Sequence, residues 1–537
     1  MFNHTYAAGC TAHTSVLDKV VPGYYYRRNG DGDIENSTCM NNTASEHYMC
    51  ERLIVDAVVH WARTYKLSGF RFDLMGHLMM RTMNKVRDAL NALNVQEHGV
   101  DGSRVYLYGE GWDFGEVAGN ARGVNAGQLN LHGSGIGSFN DRIREAVVGG
   151  SPFGDPRDQG FATGLGTDPS EYTAAGTTPD EQQRVLIESS ERLMCSLAGN
   201  LRDSVFLKAS CRATDAKETF TMGRDAAWLG SNCGYARNPD ETVNYVSAHD
   251  NETLFDMIVW KLRASPHEPT SSGLLPPEEF ARRSIFCSAC VAYAQGVPFF
   301  HAGDEILRSK SLDRDSYNSG DHFNRLLWDM SGNNFGVGLP PAEKNAEKYD
   351  MIRPLLANRA SLAPDTNLIR RTSEAFQELL RVRRSSPLFR LRTQEDVQAR
   401  MFFDAPLEDG VVVFAIVDGG ERGAAPELSQ LDAHHAMVVV VLNARAETYV
   451  HKCGVDPASP PPTATLDELR LPPRRLGHLL DAWKRDGRQL NVHPELQGSV
   501  DDVTRECRVL PTRGHGEVGF ALSVPPSTAA VFVATRD

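Results

Sequence analysis

The chain has 537 residues, 41% hydrophobic and 23% charged, an ordinary globular composition with material for two or three domains. Its net charge of −13 argues against nucleic acid or an anionic membrane as the main partner and suits a neutral substrate. The ten cysteines show neither the dense spacing of a disulfide framework nor the paired doublets of a zinc site, and no apolar run approaches the roughly 20 residues that span a bilayer.

In chain order, Met1–Thr5 carries no leader or transit pattern. A loop from Pro22 to about Asn42 is dense in turn formers and aromatics, including Tyr24-Tyr25-Tyr26, and is as consistent with binding as with simple packing. Thr43 or Ser45 then supplies an N-cap for a helix in which Met49, Leu53, Ile54, Ala57, Val58 and Trp61 recur at three- and four-residue spacing. After Leu67-Ser68-Gly69 comes Phe70-Arg71-Phe72-Asp73, a strand that stops on a carboxylate, with Arg71 and Asp73 projecting to one side. Alone, it reads first as an ion pair at a strand end.

The pattern then repeats. A helix to Leu90 leads to Val105–Asp113, a second strand ending on an acid, Glu110, and Ile136–Asp141 reads as a strand entering a helix. Residues from about Ser151 to Pro239 give only intermittent helical patterns. Val243–Asp250 is a third strand, ending on His249-Asp250; Leu274–Gln295 is a helix, with Cys287 and Cys290 facing the core; Val297–Glu305 is a fourth strand. Helix alternating with strand implies a parallel sheet. After a helix at Ser373–Arg384, β-rich runs at Val411–Val417, Met437–Leu442 and Ala529–Thr535 point to an antiparallel β-domain from about residue 395, with a Pro-rich surface loop at Pro457–Ala464.

Parallel strands tipped with acids suit a (β/α)8 barrel, whose catalytic groups sit at the C-terminal strand ends. Two carboxyl groups flanking a sugar bond suffice for glycoside hydrolysis. The blocks GFRFDLMGH (69–77), YGEGWDFGE (108–116), VNYVSAHDNETLFD (243–256) and FFHAGDEILRSKSLDRDSYN (299–318), together with the loops at 21–29 and 41–46, resemble the α-amylase superfamily and, within it, pullulanases and plant-type limit dextrinases. The resemblance implies an α/β fold, a (β/α)8 barrel over residues 1–394 followed by a C-terminal antiparallel β-sandwich over 395–537. It implies retaining cleavage of α-1,6 branch linkages in starch-like glucans, with Asp73 as nucleophile, Glu110 as general acid/base and Asp250 stabilising the transition state. Arg71 would favour the ionised form of Asp73, while Glu110 needs apolar neighbours, for which Trp112 and Tyr108 are candidates. His4, His249, Trp112, Arg314 and Asn318 match substrate-contact positions, although Trp112 could be a core residue and Arg314 or Asn318 could pin a loop. His77 reads as structural.

No cofactor is needed for this chemistry. Calcium stays open, because relatives often bind it, although no EF-hand-like ligand run is present. The expected partner is an α-glucan, and the resemblance implies a plastid location. An α-1,4-active hydrolase or transglycosylase would share the three acids, and a non-catalytic glucan-binding protein is a further alternative. Phe335 and His322 stand where the family usually has Trp, which is expected to alter outer glucan contacts. The block at Asn3-His4 belongs to the third barrel strand of the family, so the resemblance also implies an incomplete barrel, with raw sheet edges and poor folding in isolation.

Overall fold

The computed structural model describes residues 1–170, 178–212, 219–262, 275–453, 476, 479–480, 488–514 and 517–536. The chain divides into two compact units, Met1–Asn140 with Tyr235–Val243, and Asp141–Gly234 with Asn244–Asp537. Residues on both sides of the expected 394/395 boundary belong to the second unit.

In the first unit, strands β1 (Gly69–Phe72), β2 (Tyr106–Gly109) and β3 (Gly137–Asn140) pair in parallel in that order, and β4 (Thr242–Asn244) takes the next place. Helix α1 (Tyr48–Tyr65) leads into β1, and α2 (Met80–Asn91) connects β1 to β2. Phe70, Phe72, Leu107 and Ile136 meet Ile54, Val58 and Val86 of the helices in one apolar core. Helix α1 departs from expectation at both its start and its apolar face. Its N-cap is His47, without a side-chain bond. Thr43 instead donates to the carbonyl of Asn3, and Ser45 accepts the amide of Met79. Cys50, Ile54, Val58 and Ala62, at four-residue spacing, form the buried face. Met49, Leu53, Trp61 and Tyr65 are exposed, and the Trp61 and Tyr65 rings stack with centroids 4.6 Å apart.

The second unit contains helices α3 (Pro179–Leu197), α4 (Leu254–Lys261), α5 (Pro277–Ala292) and α6 (Thr366–Ser385), and the two-residue strand β5 (Val297–Pro298). Cys287 and Cys290 of α5 are fully buried, as their pattern predicts. Strands β6 (Met401–Asp404), β7 (Val411–Val417), β8 (His435–Asn443), β9 (Tyr449–Cys453), β10 (Leu490–Val492), β11 (Arg508–Gly514), β12 (Glu517–Val524) and β13 (Thr528–Thr535) follow. They form two antiparallel sheets, β6-β7-β8-β13-β10 and β9-β12-β11. Every residue of β7 and β8 is buried, so both faces of this sheet are covered and the strands read as unbroken apolar runs. The Pro-rich stretch 457–464 lies outside the described residues.

Two expected strands are shorter than their sequence runs. β4 stops at Asn244, and β5 stops at Pro298. Beyond these points side chains take over the polar groups. Asn244 donates to the carbonyl of Gln295 at 2.7 Å, and Ser247 donates to the buried Asp304 at 2.6 Å. Asp250 therefore sits on a loop six residues past the strand rather than at its tip. Phe335, where the family usually has Trp, is 1% exposed and packs edge-on against Phe255 within the core. His322 is exposed and hydrogen-bonds the carbonyl of Val337.

Candidate active site

In the first unit, β1 and β2 run in register with Arg71 beside Tyr108 and Phe72 beside Gly109. The next residues on each strand are Asp73 and Glu110, so two carboxylates leave neighbouring parallel strands side by side. Backbone bonds carry the pairing past the strands: the Glu110 amide donates to Phe72 O at 3.2 Å, and the Gly76 amide to Glu110 O at 2.8 Å. The approach is close enough to require glycine. A Cβ on Gly76 would lie 1.9 Å from the carbonyl oxygen of Trp112, and one on Gly109 would lie 2.3 Å from that of Phe72.

Arg71 ties the two acids together. Its Nη1 donates to Asp73 Oδ1 at 2.7 Å, and its Nη2 lies 3.2 Å from Glu110 Oε1. The planar fork suits this bridging role, which a point-charge ammonium would not reproduce. The guanidinium also lies 5.7 Å from the Phe139 ring centroid. Glu110 Oε2 accepts the amide of Leu74, a residue held in the left-handed region at φ 43. Sequence reasoning sought apolar neighbours for Glu110; the structure puts a guanidinium and a backbone N–H against its carboxyl group. Trp112 is half-buried. His4 Nδ1 stands 3.7 Å from Asp73 Oδ2 and 3.0 Å from Asn3 Oδ1. Burial holds its imidazole below the ordinary histidine range, despite the neighbouring carboxylate.

A buried network that sequence reasoning missed supports this pair. Arg27, from the aromatic loop, donates through Nε and Nη2 to Glu46 at 2.8 and 2.7 Å. Its Nη1 donates to Glu116 at 2.9 Å, and its Nη2 to the carbonyl of His77 at 3.0 Å. Ser37 and Asn42 also donate to Glu116. Burial alone would raise the Glu116 carboxyl, but these donors outweigh it and bring it down to about 2. His77 is fully buried against the Phe114 ring, and burial pushes it down to about 4, which supports its structural reading. Glu116 lies in the GEGWDFGE block, but its partner is 89 residues away, and no spacing rule connects them.

The second unit holds the remaining candidates. His249 and Asp250 are exposed, at 62% and 63% of their side chains, with Nε2 and Oδ1 3.6 Å apart. Arg314 donates from Nη2 to the carbonyl of Pro152 at 2.5 Å and lies 5.9 Å from the Phe153 ring centroid. Its guanidinium thus holds a loop, one of the two roles expected for it. Asn318 is exposed. Among the described residues no group of three or more His, Cys, Asp or Glu side chains is arranged to hold a metal ion, and no helix is long and apolar enough to cross a membrane.

Residues 330–464 match the family model for α-1,6-glucosidases, pullulanase-type, C-terminal. Over 540 aligned residues the chain is 45% identical to pullulanase 1, chloroplastic, of Arabidopsis thaliana, covering 100% of this chain and 50% of the relative. Over its whole length the chain is thus similar to the pullulanases. It is also 38% identical to the pullulanase of Klebsiella aerogenes, over 79% of this chain and 36% of that one. Klebsiella pneumoniae pullulanase complexed with maltotriose superposes with a TM-score of 0.80 at 31% identity, covering 99% of this chain and 44% of that one. The chain thus spans about half the length, or less, of the relatives it matches.

Proposed function

We propose that the chain carries the site of a retaining α-1,6-glucosidase that cleaves branch linkages in pullulan, limit dextrins and starch-like glucans. The observation that carries this reading is the pair Asp73 and Glu110, side by side on parallel strands and bridged by one guanidinium. A retaining mechanism needs two carboxyl groups about 5–5.5 Å apart, one to attack the sugar and one to protonate the leaving oxygen and later activate water. Asp73 is the nucleophile, its carboxylate oriented for attack by Arg71. Glu110 is the acid/base, protonating the leaving oxygen and then activating water. Asp250 serves as the family's third acid, stabilising positive charge at the sugar. His4, Arg71, Trp112, His249, Arg314 and Asn318 supply substrate contacts, Arg314 acting at an outer position through the loop it holds.

On this reading the parallel strands over residues 1–394 form part of a (β/α)8 barrel, and residues 395–537 form a β-sandwich. The chemistry needs no cofactor, the partner is an α-glucan, and the likeness to a chloroplastic relative supports a plastid location. The test is hydrolysis of pullulan and of a linear maltodextrin by the protein that carries residues 1–537, with the anomer of the first product followed by NMR. Maltotriose released from pullulan with retained configuration, and loss of both in Asp73→Asn, are expected. Cleavage of the linear glucan alone would replace the reading with an α-1,4 activity. Glucan binding without hydrolysis would replace it with a binding protein.

A further inference from the structure

Asp250 and the two acids of the first unit are held in different ways. Its carboxylate is exposed, and its one polar side-chain partner among the described residues is the exposed imidazole of His249. The following residue, Asn251, is in the left-handed region at φ 60, which asparagine adopts more readily than other non-glycine residues. The backbone here is held by Lys310. This lysine is 1% exposed, and its Nζ donates to the carbonyl of Asn251 and, at 3.4 Å, to that of His249. The two acceptors flank Asp250 in the chain. A buried ammonium thus straddles the residue without touching its side chain.

Lys310 is itself fixed. Its amide donates to Asp256 Oδ2 at 2.7 Å, and the neighbouring Ser309 hydroxyl donates to Asp256 Oδ1 at 2.5 Å. Asp256 lies in the first turn of α4, capped by Thr253, so the clamp is anchored on the helix that leaves the Asp250 loop. Ser309 further donates its amide to Asn333 O, and Ser311 its hydroxyl to Gly338 O.

We propose that Lys310 is a positioning residue for Asp250, an ammonium that clamps the carbonyls on either side of it and so aims the carboxylate between them. The chemistry requires the protonated form. Each carbonyl needs an N–H directed at it, whereas a neutral amine would keep a lone pair and could not serve both as firmly. Burial lowers the proton affinity of Lys310; Asp256, Asp313 and Glu252 around it work in the opposite sense, and Arg308 adds to the lowering. The clamp therefore releases as pH rises, below the range at which an exposed lysine titrates.

The catalytic part of this inference rests on the role proposed above for Asp250, so the test reads the clamp and the activity separately. Hydrogen exchange of residues 248–253 is compared between the full chain and Lys310→Met, and followed with pH in the unmodified chain relative to the rest of the second unit. Faster exchange confined to this loop in Lys310→Met, and a matching rise with pH in the unmodified chain, are expected. In pullulan hydrolysis, kcat should fall 10- to 100-fold in Lys310→Met with KM little changed, the scale of an ångström-sized misplacement. Lys310→Arg should recover part of this and carry the alkaline limb to higher pH. Unchanged exchange, or an alkaline limb that Lys310→Arg leaves in place, would overturn the proposal. If exchange rises while Asp250→Asn hydrolyses pullulan normally, the clamp stands and the role of Asp250 fails. Should Lys310→Met not fold, the pH series on the unmodified chain decides the question.

Discussion

Asp73 and Glu110 are gripped at their carboxylates, through Arg71 and the backbone amide of Leu74, whereas Asp250 is held through the carbonyls of the residues before and after it, with its carboxylate exposed. The first arrangement fixes charge in advance, which lowers the reorganisation needed when a bond breaks. The second fixes where the chain runs and lets the side chain settle against whatever arrives. Acids from separate blocks of the sequence are thus built to different tolerances.

The comparison is broken most severely by removing the charge at its centre. Asp73→Asn should lower kcat on pullulan by roughly 10⁴-fold or more, the scale seen when a member of a concerted catalytic set is lost, in single-turnover assays. Arg71→Lys keeps a positive charge but loses the fork, and should cost about 10²–10³-fold in kcat, comparable to losing one preorganised donor. Behind the pair, Arg27→Met would strand Glu46 and Glu116 in the interior and destabilise the chain by about 3–5 kcal/mol, read as a lowered urea midpoint.

Two pH effects sharpen the contrast further. Glu116 is depressed from 4.5 to about 2 and His77 from 6.5 to about 4, so the unfolded chain binds protons before the folded one does. The stability contribution of His77 is complete above 6.5 and declines as pH falls toward 4; that of Glu116 is complete above 4.5 and declines toward 2. Urea midpoints between pH 7 and 3 should trace both declines, and Glu116→Gln should remove the second. In the other unit the sign reverses. Asp304, under Ser247, is raised by burial from 3.8 to about 7, so its contribution falls as pH rises through that interval. Asp304→Asn should flatten this decline.

What the sequence disclosed depended on the range of the interaction. The strands ending at Asp73 and Glu110 were legible because alternating apolar residues followed by an acid are a local pattern. The strand before Asp250 was overextended, because Tyr245 and Val246 have strand-like side chains although β4 ends at Asn244. Helix α3 went unread despite a capping box at Thr178 and Glu181, its signal lost among glycines and prolines. Arg27 and Lys310 were beyond reach for another reason. Each works through partners 19 to 89 and 54 to 61 residues away, respectively, and a basic residue in a polar loop looks the same whether it faces solvent or the interior.

The glycine contacts have a mechanical consequence. With Gly76 seated on the carbonyl of Trp112 and Gly109 on that of Phe72, the two chain segments beyond β1 and β2 share one surface, with no side chain between them to act as a compliant spacer. A displacement of one segment is therefore expected to carry the other with it, preserving the separation of Asp73 and Glu110 on which a two-carboxylate reaction depends.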